Sequence, residues 1–244
     1  MSAETAPRRG FIGRMLGIVA ATTIGVPLLD TASVGAQAGK AAPAATPDDW
    51  LKEVKGTHRC LFDFPQHKNG VPLLHILNYL NTYAEAYKAA PGTVGAVGTF
   101  YGIGAQSSIA LAFDDAAWVK YGLSDYLGLK DAAGKPYARN VFHRPTAADG
   151  HLLGAAMQLP PMPGLAGAMP GLGLESLQKM GTKFLMCNNA FGAWCMELEA
   201  RGKGKMADLD ADLRKHLLPG VTIVPAMVIA IEKAQAAGIR YNRQ

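Results

Sequence analysis

The sequence predicts an α/β domain, a three-layer α/β/α sandwich around a mostly parallel sheet. Three observations predict it. Short runs rich in β-branched and aromatic residues recur along the chain, as in 93–100, 183–187 and 221–224. Segments with apolar residues at helical spacing separate them. Gly and Pro cluster at the joins, at Pro91-Gly92 and Pro219-Gly220 among others. Strand and helix in alternation call for a parallel sheet covered on both faces. With 244 residues, 49% of them hydrophobic and 18% charged, the chain can bury one good core, and a second full domain would be cramped.

Taken in order, the elements begin with an export signal. Arg8-Arg9-Gly10-Phe11-Ile12-Gly13-Arg14 has the twin-arginine form. A mildly apolar stretch follows, Met15 to Leu29, and then Ala36-Gln37-Ala38, a small-x-small cleavage site. The stretch is short of the ~20 residues a spanning helix needs. Residues 1–38 are therefore expected to be a signal peptide, and the protein periplasmic, with no membrane attachment after cleavage. Residues 39–56, which open with an Ala/Pro-rich stretch, are expected to form a disordered linker.

The folded domain is expected over 57–244. His58 to Phe64 reads as a first strand ended by Pro65, and Leu73, Leu74, Leu77, Leu80 and Tyr83 mark a helix. Thr93 to Phe100 is a second strand whose glycines leave room for a helix to approach. Ser107 to Phe113 reads as either helical or extended. Asp114 or Asp115 caps a helix through Tyr121. After a polar, irregular stretch comes a Met/Pro/Gly-rich insertion at about 150–173. A short helix over 175–180, a strand over 183–187 and a helix from Asn188 come next. A surface helix over 208–217, a strand over 221–224, a helix closed by Gly238 and a short strand at 239–241 complete the domain.

Charge and cysteines narrow the function. The formal net charge is +5, and removing Arg8, Arg9, Arg14, Glu4 and Asp30 leaves 21 basic against 17 acidic residues. No run of Lys or Arg remains to track a phosphate backbone, so no nucleic-acid partner is expected. Cys60, Cys187 and Cys195 are too few for a disulfide framework, and no CxxC, CxxCH or zinc spacing occurs. No motif calls for a cofactor. Gly102-x-Gly104 lacks the third glycine of a dinucleotide loop and reads as a tight turn. Met157, Met162 and Met169 offer thioethers suited to copper(I), but their spacing is loose. An apolar lid or a surface covered by another subunit suits that tract better.

Four segments resemble one family. His58 to Phe64 with Asn78 comes first, and Asp114-Asp115-Ala116-Ala117-Trp118-Val119-Lys120-Tyr121 second. Third is Leu177-x-x-x-Gly181-x-x-Phe184-Leu185-x-Cys187-Asn188. Fourth is Leu218-Pro219-Gly220-Val221 through Pro225-Ala226, with Gln235-x-x-Gly238-x-x-Tyr241. In that order they are similar to the DsrE/DsrF-like sulfur-relay proteins, over roughly residues 57–242. The resemblance implies a flavodoxin-like or Rossmann-like sheet, assembly as a homo-oligomer (trimer or hexamer) and a protein sulfur donor or acceptor. It also implies a persulfide-carrying cysteine at Cys187.

Position alone makes Cys187 a candidate nucleophile. It stands where a strand gives way to a helix, and helix N-terminal N–H groups favour a thiolate, the species that accepts sulfane sulfur. Asn188 and Asn189 are candidate supporting donors. His67 and Lys68 follow the first strand on the same rim and are candidates for holding an anion or moving a proton. Cys195, in register with Phe191 and Leu198, reads as core. Two functions follow: a periplasmic sulfur carrier or thiol-dependent protein using Cys187, or a non-catalytic ligand-binding or assembly module. In the second, the apolar insertion is a partner surface or lid.

Overall fold

A computed structural model of the chain describes residues 46–244. The twin-arginine segment, the cleavage site and the first part of the linker lie outside the described residues. Five strands form one all-parallel sheet: β1 (His58–Asp63), β2 (Val94–Phe100), β3 (Thr182–Cys187), β4 (Val221–Val224) and β5 (Arg240–Arg243). Their spatial order is β4-β3-β2-β1-β5.

The order explains the layers. Steps from β1 to β4 all move one way across the sheet, so right-handed crossovers put their helices on one face. That face carries α1 (Val71–Glu85), α2 (Asp115–Tyr121), α3 (Leu123–Tyr126), α4 (His151–Ala156) and α5 (Pro163–Ala168). It also carries α6 (Leu174–Lys179), α7 (Asn188–Ala200) and α8 (Met206–Leu213). The step from β4 to β5 runs back across the sheet, which sends α9 (Met227–Ala236) to the opposite face. Two apolar clusters result. Phe62, Phe64, Phe100, Phe184, Trp118 and Trp194 belong to the larger, while Leu61, Val97, Leu185 and Val224 meet α9 in the smaller.

Local chemistry sets the elements. In α1, Leu73, Ile76, Leu77 and Leu80 are buried at helical spacing, and Pro72 sits in the first turn, where no N–H is needed. Asp114 caps α2 through the Ala117 N–H, and Gly122 closes it at φ 61°. Residues 108–112 form a 3-10 helix whose side chains are all buried. The surface helix is shorter than the sequence predicts: it ends at Leu213, with a 3-10 turn over Arg214–His216.

Two expectations are corrected. Within the linker assigned to 39–56, Asp49–Lys52 forms a 3-10 helix, and Trp50 and Val54 are buried against the smaller cluster. A single indole buries enough apolar area to hold a short segment that its polar neighbours would leave in water. The glycines of β2 also serve another purpose. A β-carbon on Gly98 would stand 2.5 Å from Phe184 Cε1, and one on Gly95 would stand 2.5 Å from the Lys55 carbonyl. They admit a ring from the neighbouring strand and the backbone of the N-terminal segment, not a helix.

The insertion divides in two. Leu152, Leu153, Met169 and Leu172 are core, while Leu159 and Met162 are exposed. Met157 is half-buried, so the three thioethers sit in three different environments. Between α4 and α5 the insertion encloses an apolar hollow of about 430 Å³, lined by Leu159, Pro160, Met162 and Leu165 among others.

Candidate functional site

Cys187 ends β3 and caps α7. Its Sγ accepts the Ala190 N–H at 3.4 Å, and the Met227 N–H, from the start of α9, at 3.3 Å. Side chains alternate along a strand, so Cys187 shares a face with Leu185, Val97 and Leu61. Trp50, Val224 and Met227 belong to the same cluster, and the thiol residue is 5% exposed. It lines neither the insertion hollow nor the larger cleft described below. The solvent-reachable rim position expected from the sequence is thus corrected: the start of α9 covers it through Met227.

The neighbouring candidates are occupied elsewhere. Asn188 Oδ1 accepts from the Arg214 guanidinium at 2.7 Å, which pulls it toward α8, and that guanidinium also lies 4.9 Å from the centre of the Phe191 ring. Asn189 is exposed, and its backbone N–H meets the Pro225 carbonyl at 3.3 Å. Burial pushes the other thiols up, to about 11 at Cys60 and about 12 at Cys195. All three cysteines are free.

His67 is corrected from a rim group to a buried one. It is 1% exposed and its ring lies 5.9 Å from that of Phe142. Nδ1 accepts the Asn69 N–H at 3.0 Å, which leaves the proton on Nε2; the Ala105 carbonyl is nearby, but this buried nitrogen has no hydrogen-bond partner among the described residues. Burial pulls the imidazole down to about 4 despite that carbonyl, so it is neutral at pH 7 and cannot hold an anion by charge. Lys68 is exposed, in a left-handed backbone conformation at φ 40°. His67 and Lys68 follow β1 whereas Cys187 ends β3, with β2 between them. That is two strand spacings, ~10 Å. The structure does not join these candidates into one site.

It assembles two other groups instead. Asp63, at the end of β1, is 1% exposed and accepts the hydroxyls of Tyr101 and Tyr241, each at 2.7 Å. Burial, then the bond to Asp63, raises the Tyr101 phenol; at Tyr241 the bond to Asp63 leads. Arg243 stands 4.0 Å from the same carboxylate and is 68% exposed.

The second group is a cleft of about 630 Å³ between α1 and β5. Tyr79 and Tyr83 line it from α1 and Tyr87 from just past its end, joined edge-on or tilted at 5.0 and 5.3 Å between ring centres. Phe62 from β1 meets Tyr79 at 5.5 Å. Lys68, Asn242 and Arg243 complete the rim, and Gln244 links His75 to Asn242. The signal in the sequence is a tyrosine every fourth residue, which places Tyr79 and Tyr83 on one helical face with Tyr87 following the helix end. Reading Tyr83 only as part of a core stripe hides it.

Among the described residues no group of three His, Cys, Asp or Glu side chains is placed to hold a metal ion, and no helix is long and apolar enough to cross a membrane. Comparison of the chain with family models, with curated proteins and with solved structures finds no match.

Proposed function

We propose that this chain is an exported ligand-binding module on a sulfur-relay-like fold, in which Cys187 is structural. One contrast carries the reading. The thiol at the strand-to-helix junction is 5% exposed and lines neither the insertion hollow nor the cleft, while the cleft between α1 and β5 is open and lined by tyrosines and contains no cysteine. A volume of about 630 Å³ is in the range of small-molecule sites. The twin-arginine segment supports export, and the exposed Leu159 and Met162 of the insertion support contact with a second protein or subunit.

One observation favours a second reading. Two backbone N–H groups, from the starts of α7 and α9, converge on Cys187 Sγ, an arrangement that suits a thiolate. In that reading the Cys187 thiolate attacks the terminal sulfur of a donor persulfide. The donor thiolate leaves, and Cys187 becomes the persulfide.

Intact mass spectrometry after exposure of the native protein to inorganic polysulfide, without reductant, separates the two. The binding module gains no sulfur at Cys187, and Cys187→Ser keeps whatever ligand copurifies. A gain of one sulfur atom at Cys187 in the folded protein, abolished by Cys187→Ser, establishes the carrier instead.

A further inference from the structure

We infer that the cleft between α1 and β5 takes a small organic anion with a flat aromatic body, an inference that rests on the ligand-binding reading above. Its wall is aromatic: Phe62, Tyr79, Tyr83 and Tyr87 line it, and Tyr83 also stacks on His58 at 4.6 Å. Rings of this kind favour a partner that presents a π-face or edge over an aliphatic one. The rim is cationic. Lys68 and Arg243 are the charged side chains of the lining, and no Asp or Glu is among them.

Both cations have donors to spare. Lys68 has no ion pair among the described residues, and its residue is exposed. Arg243 faces Asp63, but that carboxylate already accepts two tyrosine hydroxyls, and the guanidinium stays 4.0 Å away and 68% exposed. A planar guanidinium offers five N–H donors, enough to grip a carboxylate while keeping this distant partner. The first turn of α1, Val71 and Pro72, lines the same cleft and carries no acidic residue, so the positive end of a 15-residue helix adds to the field. Asn78, Thr82 and Asn242 supply polar contacts along the body of the ligand.

Charge and ring chemistry thus select the same class. A neutral aromatic leaves the two cations unpaired, and an aliphatic anion leaves the tyrosine wall to water.

The test uses the whole exported protein and three probes of similar size: 2-naphthoate, 2-naphthylmethylammonium and trans-decalin-2-carboxylate. Binding is followed by calorimetry and by NMR of ring-labelled tyrosine. Naphthoate is expected to bind saturably, to move the Tyr79 and Tyr83 resonances, and to bind best of the three. Lys68→Ala and Arg243→Ala are expected each to weaken it roughly tenfold. Both side chains are exposed, so the fold survives, and circular dichroism checks that. Equal binding of the ammonium probe overturns the charge assignment, and equal binding of the decalin acid overturns the aromatic one. Either result leaves the cleft as a binding site. If none of the three, nor a general fragment panel, perturbs the cleft tyrosines, the ligand-binding reading falls with the inference.

Discussion

The Met227 N–H points at Cys187 Sγ from 3.3 Å, so the start of α9 is fastened to the end of β3 through a sulfur atom. The Ala190 N–H approaches the same atom at 3.4 Å. Cys187→Ala removes the acceptor for both and opens a small void beside Val224, its register partner on β4. It is expected to destabilise the fold by about 1–3 kcal/mol in urea unfolding, whereas Cys187→Ser, which keeps an acceptor, costs less. Equal losses for the two variants would show that the N–H contacts contribute nothing.

Trp50 makes a second prediction, because it ties the segment before β1 to the sheet. Trp50→Ala is expected to cost about 3–5 kcal/mol, the range for a fully buried large aromatic. Hydrogen exchange should then rise through residues 46–56 and over Leu61 and Val97. A change under about 0.5 kcal/mol, the size of a surface substitution, would return this segment to the status of a linker.

Gly98 makes a third. The Phe184 ring fills the space a β-carbon needs, and Phe100 stacks on that ring at 5.1 Å between centres, 6° from parallel. With a ring behind it, Phe184 has no free direction in which to yield. Gly98→Ala is expected to lose about 1–3 kcal/mol by overpacking. Paired with Phe184→Leu, the same substitution should be milder, a coupling that a double-mutant cycle measures.

His67 predicts a pH dependence. Its folded value is about 4 against 6.5 for an ordinary histidine, so between those values the unfolded chain binds more protons than the folded one. Its contribution is complete above pH 6.5 and is lost as pH falls toward 4, by on the order of 3 kcal/mol. His67→Leu should remove that slope. Urea midpoints at several pH values, wild type against variant, isolate it from the carboxylates, which both proteins share.

β1, β2 and β4 were legible because each is a short, largely apolar run bounded by Pro or Gly: Pro65 after β1, Pro91-Gly92 before β2, Pro219-Gly220 before β4 and Pro225 after it. The packed segment at Trp50 was not, since one buried indole among Asp48, Asp49 and Lys52 leaves no periodicity to read. His67 hides for a similar reason. Polar turns after strands usually face water, and this one is buried by groups distant in the chain, among them the Phe142 ring, 75 residues away. Cys187 was half legible. Its strand-to-helix junction is as the spacing predicts, but alternation from Leu185 already assigns it to a face that α9 must cover. The tyrosine stripe of α1 was present in the sequence, yet its meaning depends on β5 arriving beside it from the far end of the chain.

Whether Cys187 is closed to solvent in the native protein decides the account most directly. Pulsed iodoacetamide labelling, mapped by peptide mass spectrometry across a urea series, measures it. Closed packing predicts that Cys187 labels only as the domain opens, in step with Cys195 in the core. Rapid labelling of Cys187 in water, while Cys195 stays protected, contradicts it.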